Sequence, residues 1–216
     1  DLAGYKVNLY QPIKTTYRGN QIFTMGAPSG GGIVILTALN VLECFQLSQL
    51  TPNSARTYHL IAEAMKFAHH NRSKYVGDPS FSEIPYSMLL SKKLACEKAR
   101  EINFKKSSTP KQTAKTGNKI NDSYKESKDT THYSIVDKEG NAVSVTYTLG
   151  YSFGSGVTIP GTGILTNNQM NNFAHNYGIA DSYFRSSSPA NKLEPLKRPM
   201  STMAPVMVFD AAGDLK

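Results

Sequence analysis

Thr130-Thr131-His132-Tyr133 is where residue type and position in the sequence first offer chemistry. A hydroxyl-bearing residue stands there between a polar segment and an alternating, strand-like run. On spacing alone this is a linker joining a strand. The chemical alternative is specific: a cut before Thr130 would leave one residue carrying both a hydroxyl and a free α-amine. An α-amine titrates near ~8, so much of it is unprotonated around neutral pH and can take up the hydroxyl proton. Such a nucleophile brings its own general base.

Three other patterns carry less. Gly150-Tyr151-Ser152-Phe153-Gly154 comes after a strand and matches the G-x-S-x-G elbow of serine hydrolases, but that motif needs a helix directly afterwards. The next residues, Ser155-Gly156-Val157-Thr158-Ile159-Pro160-Gly161, cannot form one, so the reading is a glycine-rich loop shaping a pocket. Gly26-Ala27-Pro28-Ser29-Gly30-Gly31-Gly32 lacks the Lys that a phosphate loop places after its last glycine, and reads as a tight turn into a helix. His59, His69 and His70 share a helix without a His-Glu-x-x-His spacing, and adjacent histidines point to different sides. They read as solvated or core-edge residues rather than metal ligands.

The elements that must position these residues fall into two unlike halves. Ala55–His70 places Leu60, Ile61, Ala64, Met65 and Ala68 on one helical stripe, with Arg56, Glu63, Lys66 and Asn71 off it and Ser54 as its N-cap. Ser87–Ile102 reads as a second helix, and Ile33–Phe45 as a third candidate made ambiguous by its β-branched start. Further on the period becomes two. Residues 133–137 and 142–148 alternate around a Gly140-Asn141 turn and predict a hairpin, with a later strand over 203–209. Helices first and strands second predict layered α/β packing.

Between the halves, Lys105 to Lys128 holds seven lysines and two acids, so it carries +5 of the chain's net +8. Its Lys, Ser, Thr, Gln, Asn and Gly composition is that of a solvated linker, and Tyr124 alone gives no platform for stacking on bases. Nucleic-acid binding is therefore not expected. The longest apolar stretch, Ile33 to Leu42, is far short of the roughly 20 residues a bilayer span needs. Cys44 and Cys96 are too few for a disulfide framework and fit no metal spacing. The segments so defined are a helical portion over 1–104, a basic linker over 105–129 and a β-rich portion over 130–216. The first residue is Asp1 rather than Met, and no secretion signal is read at the N-terminus.

Thr130 to Asp137 with Gly140 to Leu149 resembles the start of the small subunit of the γ-glutamyltranspeptidase family. Further motifs of that family occur in order: Tyr17-Arg18-Gly19, Pro28-Ser29-Gly30-Gly31, Leu39-Asn40-Val41-Leu42-Glu43, Glu63 to Ala68 and Tyr75-Val76-Gly77-Asp78-Pro79. Gly163-Ile164-Leu165, Asn167-Asn168-Gln169-Met170 and Lys197 to Pro205 complete the set. The resemblance implies an N-terminal-nucleophile-hydrolase fold, a four-layer αββα sandwich that is incomplete here, because the family's substrate-binding arginine and oxyanion-hole glycines would lie outside this sequence. It implies self-cleavage between Asp129 and Thr130, giving a large and a small subunit from one precursor. It also implies a periplasmic or secreted location and a γ-glutamyl small-molecule or peptide substrate, with no metal or organic cofactor.

Roles carry over by position. Thr130 is the expected nucleophile, and Thr148 orients its hydroxyl. Ser201 and Thr202 match hydroxyls that bind the substrate α-carboxylate, Gln169 matches a residue near the α-amine, and Tyr183 sits where some members have a lid tyrosine. Two positions depart from the family: Gly150 where Asn is usual, and Asn172 where Asp is usual. A carboxylate pairs with an ammonium through a charge-assisted bond, whereas an amide offers an ordinary one. The loss is on the order of 1–3 kcal/mol of recognition for a γ-glutamyl donor. A glutaryl group, which lacks the amine, loses nothing. A cephalosporin-acylase-like amidase and an unprocessed, inactive binding relative are the alternative expectations.

Overall fold

The structure is a computed structural model that describes residues 2–108, 130–174 and 188–216. After a 3₁₀ turn over Leu2–Gly4 comes a hairpin that the sequence pattern did not predict: β1 (Ile13–Tyr17) and β2 (Asn20–Thr24), paired antiparallel with Tyr17 opposite Asn20. Arg18 and Gly19 both adopt positive φ, 50° and 84°, the primed two-residue turn whose twist matches a hairpin. The prediction that helices precede strands is thus corrected, since this hairpin comes before the first α-helix.

The turn over Gly26–Gly30 then runs into α1 (Gly31–Glu43), as expected. Its Ile33-Val34-Ile35 start is helical despite β-branching, because Ile33, Val34, Leu36 and Val41 are all buried by neighbours on several sides. Packing overrides the local preference. α2 (Ala55–Tyr75) begins at Ser54, whose side chain accepts a hydrogen bond from the Thr57 N–H as predicted. Its buried stripe is Leu60, Ala64, Ala68 and Arg72, at strict four-residue spacing. Ile61 and Met65, expected on that stripe, are 41% and 37% exposed, while Glu63, expected off it, is buried. The single helix predicted over Ser87–Ile102 is two, α3 (Tyr86–Leu89) and α4 (Lys92–Arg100). The break falls at Ser91, whose hydroxyl accepts from Leu94 N–H and so caps a new helix instead of continuing the old one.

Small residues let these helices approach closely: Ala38, Ala64, Ala68, Ala95 and Ala99 pack with Val34 and Val41 in one core. A bridge between Cys44 and Cys96 closes it, tying the end of α1 to α4 with Cα atoms 5.5 Å apart. Two cysteines make no framework, but they do make one staple.

The second hairpin, β3 (Thr130–Val136) with β4 (Ala142–Thr148), is the predicted one, starting three residues earlier at Thr130 itself. The last strand, β5 (Val206–Phe209), is shorter than predicted and pairs with β2, giving a sheet of order β1-β2-β5.

Alternation along that sheet sets the layers. Thr15, Ile22 and Thr24 face α1, where the Thr15 hydroxyl bonds Asn40 and Gly32 lies against Thr24. Phe23, Met207 and Phe209 face the other way, into a cavity of about 550 Å³ that Ser144 of β4 also lines. Helices cover one face of the first sheet, and the second hairpin forms a separate two-stranded sheet, so helix and strand are mixed as expected. Among the described residues, no helix is long and apolar enough to cross a membrane.

Candidate active site

Thr130 opens β3 directly opposite Thr148, the last residue of β4. Its Oγ donates to Thr148 Oγ at 3.2 Å, and Thr148 Oγ also accepts the Gly150 N–H at 2.9 Å. The expected nucleophile and its expected orienting hydroxyl are therefore in contact because a hairpin register puts them there. Thr130 is exposed and Thr148 half-buried, so the pair is open on one side.

Beyond Gly150 the chain makes a loop that folds back on itself through Ser155 N–H to Thr166 O at 2.9 Å and Thr166 N–H to Val157 O at 2.9 Å. No helix directly succeeds Ser152, in keeping with the rejected serine elbow. The return strand of the loop sets Asn168 against the end of β4. Asn168 N–H donates to Leu149 O at 2.9 Å, and its side-chain oxygen accepts from Tyr151 N–H at 3.1 Å. Gln169 and Asn172 come next in a single 3₁₀ turn, Gln169–Asn172, and the Asn172 amide donates to the Gln169 side-chain carbonyl. The two residues expected at a donor amine are thus partners of each other, two neutral amides with no carboxylate between them.

Ser201 and Thr202 lie in a different segment, which crosses the N-terminal end of α1. Gly30 N–H donates to Ser201 O and Ser201 N–H to Pro28 O, both at 2.9 Å, and the Ser29 hydroxyl reaches Met203 O. A Cβ on Gly31 would stand 2.3 Å from Thr202 O, so the glycine permits the close crossing.

Two residues that sequence reasoning did not single out tie these segments together. Asn191 is fully buried; its amide donates to Asn172 O at 2.7 Å and its side-chain carbonyl accepts from Met200 N–H at 2.9 Å. It therefore joins the Gln169–Asn172 turn to the residue preceding Ser201. Asp78 has a side chain only 1% exposed and grips Arg198 through its backbone N–H (2.8 Å), Nε (3.0 Å) and Nη2 (2.6 Å). Asp78 and Arg198 each belong to a family motif, but only the fold makes them meet. Burial pushes the Asp78 carboxyl up, yet the hydrogen bonds and charge of Arg198 outweigh it and bring the group from 3.8 down to about 2.

That depression fixes a pH dependence. A carboxyl whose folded pKa lies below its unfolded value stabilises the fold above the unfolded pKa, and the contribution fades as pH falls through the folded one. Asp78 should thus contribute about 2 kcal/mol near neutrality, lost between roughly pH 4 and pH 2. Acid titration of unfolding midpoints should show that slope in the wild type and a shallower one in Asp78→Asn. Equal slopes would contradict the assignment.

Asp129 and Tyr183 lie outside the described residues, as do residues 109–129 of the basic linker. Its first residues are held: Glu63 accepts the Ser108 N–H at 3.2 Å and pairs with Lys66 at 2.7 Å. Burial raises the Glu63 carboxyl, but Lys66 and Ser108 lower it overall. On α2, His70 is exposed and His69 half-buried, so the neighbours do face different ways. Among the described residues, no group of three or more His, Cys, Asp or Glu side chains is placed to hold a metal ion.

Two threonine hydroxyls thus meet at a strand end, and hydrogen bonds run from Leu149 to Asn168 and from Asn172 through Asn191 to Met200. The chain matches the model of the gamma-glutamyltranspeptidase family over residues 1–216 and belongs to that family. It is 43% identical over 208 residues to the glutathione hydrolase proenzyme of Escherichia coli strain K12, covering 96% of this chain and 35% of that protein. It is 36% identical to the acylase ACY 1 proenzyme of Pseudomonas sp. strain SE83, covering 97% of this chain and 34% of that one. Among solved structures, the cephalosporin acylase of Bacillus halodurans superposes with a TM-score of 0.71 at 30% identity, covering 97% of this chain and 34% of its own. The chain thus spans about a third of the length of the relatives it matches.

Proposed function

We propose that the protein of which this chain is part transfers or hydrolyses γ-glutamyl groups through an N-terminal Thr130. The observation that carries the reading is the Thr130 to Thr148 hydroxyl contact of 3.2 Å at the head of β3, where the basic linker ends. Cleavage between Asp129 and Thr130 separates a large from a small subunit and frees the Thr130 amine. Thr130 Oγ then attacks the γ-carbonyl while the amine takes its proton, and the leaving amine departs with that proton. The resulting ester is resolved by water, in hydrolysis, or by an acceptor amine, in transpeptidation. Thr148 holds the hydroxyl in line, and Ser201 with Thr202 receives the donor α-carboxylate. Tyr183, outside the described residues, matches the lid tyrosine of some family members. The mechanism draws on no metal or organic cofactor. The named relatives, hydrolase and acylase proenzymes, support both the activity class and the precursor. The Cys44–Cys96 bridge supports a periplasmic or secreted location, since such bonds persist in oxidising compartments.

Asn172 favours a widened donor range. Its amide is already engaged by Gln169, and it brings no charge to meet an ammonium. The cephalosporin acylase likeness points the same way. Full-length protein is expected to cleave glutaryl and γ-glutamyl anilides with kcat/KM values within a hundredfold of each other, a span of ~2.7 kcal/mol. A larger preference for the γ-glutamyl compound would refute the widening and leave the acyl-transfer reading intact.

A further inference from the structure

Gly150 has φ +97°, a conformation that side-chain-bearing residues rarely adopt. A Cβ built there would stand 1.7 Å from the Asn168 side-chain oxygen. That oxygen is held in place by Tyr151 N–H, and the Asn168 backbone is bonded to Leu149. The space a side chain at 150 would claim is therefore filled by the carboxamide of Asn168. On one side of this contact, Gly150 N–H binds the Thr148 oxygen that receives the Thr130 hydroxyl. On the other, Asn168 directly precedes Gln169, the amide partner of Asn172.

We infer that Asn168 is a positioning residue that sets donor preference: its carboxamide takes the place of a side chain at Gly150 and locks the Thr130–Thr148 pair to the Gln169–Asn172 turn. The inference rests on the acyl-transfer reading of Thr130. Two requirements meet at one point. Gly150 must present its N–H to Thr148, and the turn must stay at a fixed distance from the nucleophile. A carboxamide bonded to Tyr151 N–H and packed on a bare glycine meets both. A side chain at 150 would expel Asn168 and shift the turn, whereas loss of the Asn168 side chain would release Tyr151 N–H and let the turn move.

The test is a double-mutant cycle in the full-length protein, with Gly150→Asn, Asn168→Gly and the two combined. Each variant is assayed with γ-glutamyl and glutaryl anilides after intact-mass measurement of its processing. Gly150→Asn alone should lower kcat with both donors by at least about tenfold. Adding Asn168→Gly should recover at least about fivefold of that loss, because the carboxamide then returns from position 150. Asn168→Ala, which adds no bulk, should process normally, lower kcat more than it raises KM, and change the γ-glutamyl to glutaryl ratio by about threefold or more. A purely structural residue would leave that ratio alone. A processed, active wild type whose double variant is no better than Gly150→Asn, or whose Asn168→Ala keeps the wild-type ratio, overturns the role of Asn168. If Gly150→Asn does not process, the Asn168→Ala ratio decides. A wild type that neither processes nor hydrolyses either anilide refutes the underlying reading instead.

Discussion

Thr130→Ala should remove anilide hydrolysis by at least about a thousandfold, with Thr130→Ser keeping a measurable fraction of it. The size reflects what the substitution deletes. Thr130 Oγ is the atom that would form the acyl bond, and its hydroxyl neighbour is Thr148 at 3.2 Å. Thr148 cannot take over, because in an uncut alanine variant no free α-amine stands beside its oxygen to act as base. The same Thr130 hydroxyl is proposed to attack the Asp129 carbonyl, so the alanine variant should also stay a single chain. Serine keeps the oxygen and loses the methyl that limits its rotamers, which predicts slower processing and slower turnover rather than none. Anilide kinetics with single-chain and two-chain material quantified by mass check both parts. An alanine variant that hydrolyses at the wild-type rate would remove Thr130 from the reaction.

The second large effect is on stability. Reduction of the Cys44–Cys96 bridge, or the Cys44→Ser/Cys96→Ser double variant, should lower the unfolding free energy of the helical part by about 4 kcal/mol. That figure is the loop-closure value for the separation of 52 residues. The bridge closes the core where α1 and α4 meet through small side chains and the Glu43–Lys92 pair. That pair is partly buried but still open to solvent, and adds little beside the bridge. Denaturation midpoints with and without reductant, paired with thiol alkylation to count free cysteines, check it. Two alkylated thiols in the unreduced protein, or an unchanged midpoint on reduction, would contradict the staple.

What the sequence disclosed depended on how local the signal was. The β3–β4 hairpin was legible because period-two alternation and the Gly140-Asn141 turn are both written in neighbouring residues. Its register then put Thr130 opposite Thr148. The stripe of Leu60, Ala64 and Ala68 was legible for the same reason, although its edges were not: Ile61 and Met65 sit about a quarter-turn away. The first hairpin was missed because Ile13-Lys14-Thr15-Thr16-Tyr17 is short and its turn is Arg18-Gly19 rather than Asn-Gly. Its third strand, β5, arrives from the far end of the sequence.

Candidate members of the site could be named from the sequence, but not the contacts that connect them. The family resemblance suggested Gln169, Asn172, Ser201 and Thr202, but nothing local said that Asn191 would join Asn172 to Met200 or that Asp78 would hold Arg198. Those are contacts between segments, and a buried amide or carboxylate reveals its partner only once the chain is folded. The disulfide is of the same kind, since two cysteines 52 residues apart pair only if α1 lies on α4.

Intact-mass spectrometry of the denatured full-length protein is the most direct test, because a free Thr130 amine underlies every step of the proposed acyl transfer. Two chains are expected, one of them beginning at Thr130. A single chain that persists through long incubation would contradict this, leaving Thr130 without its base and the protein without this mechanism.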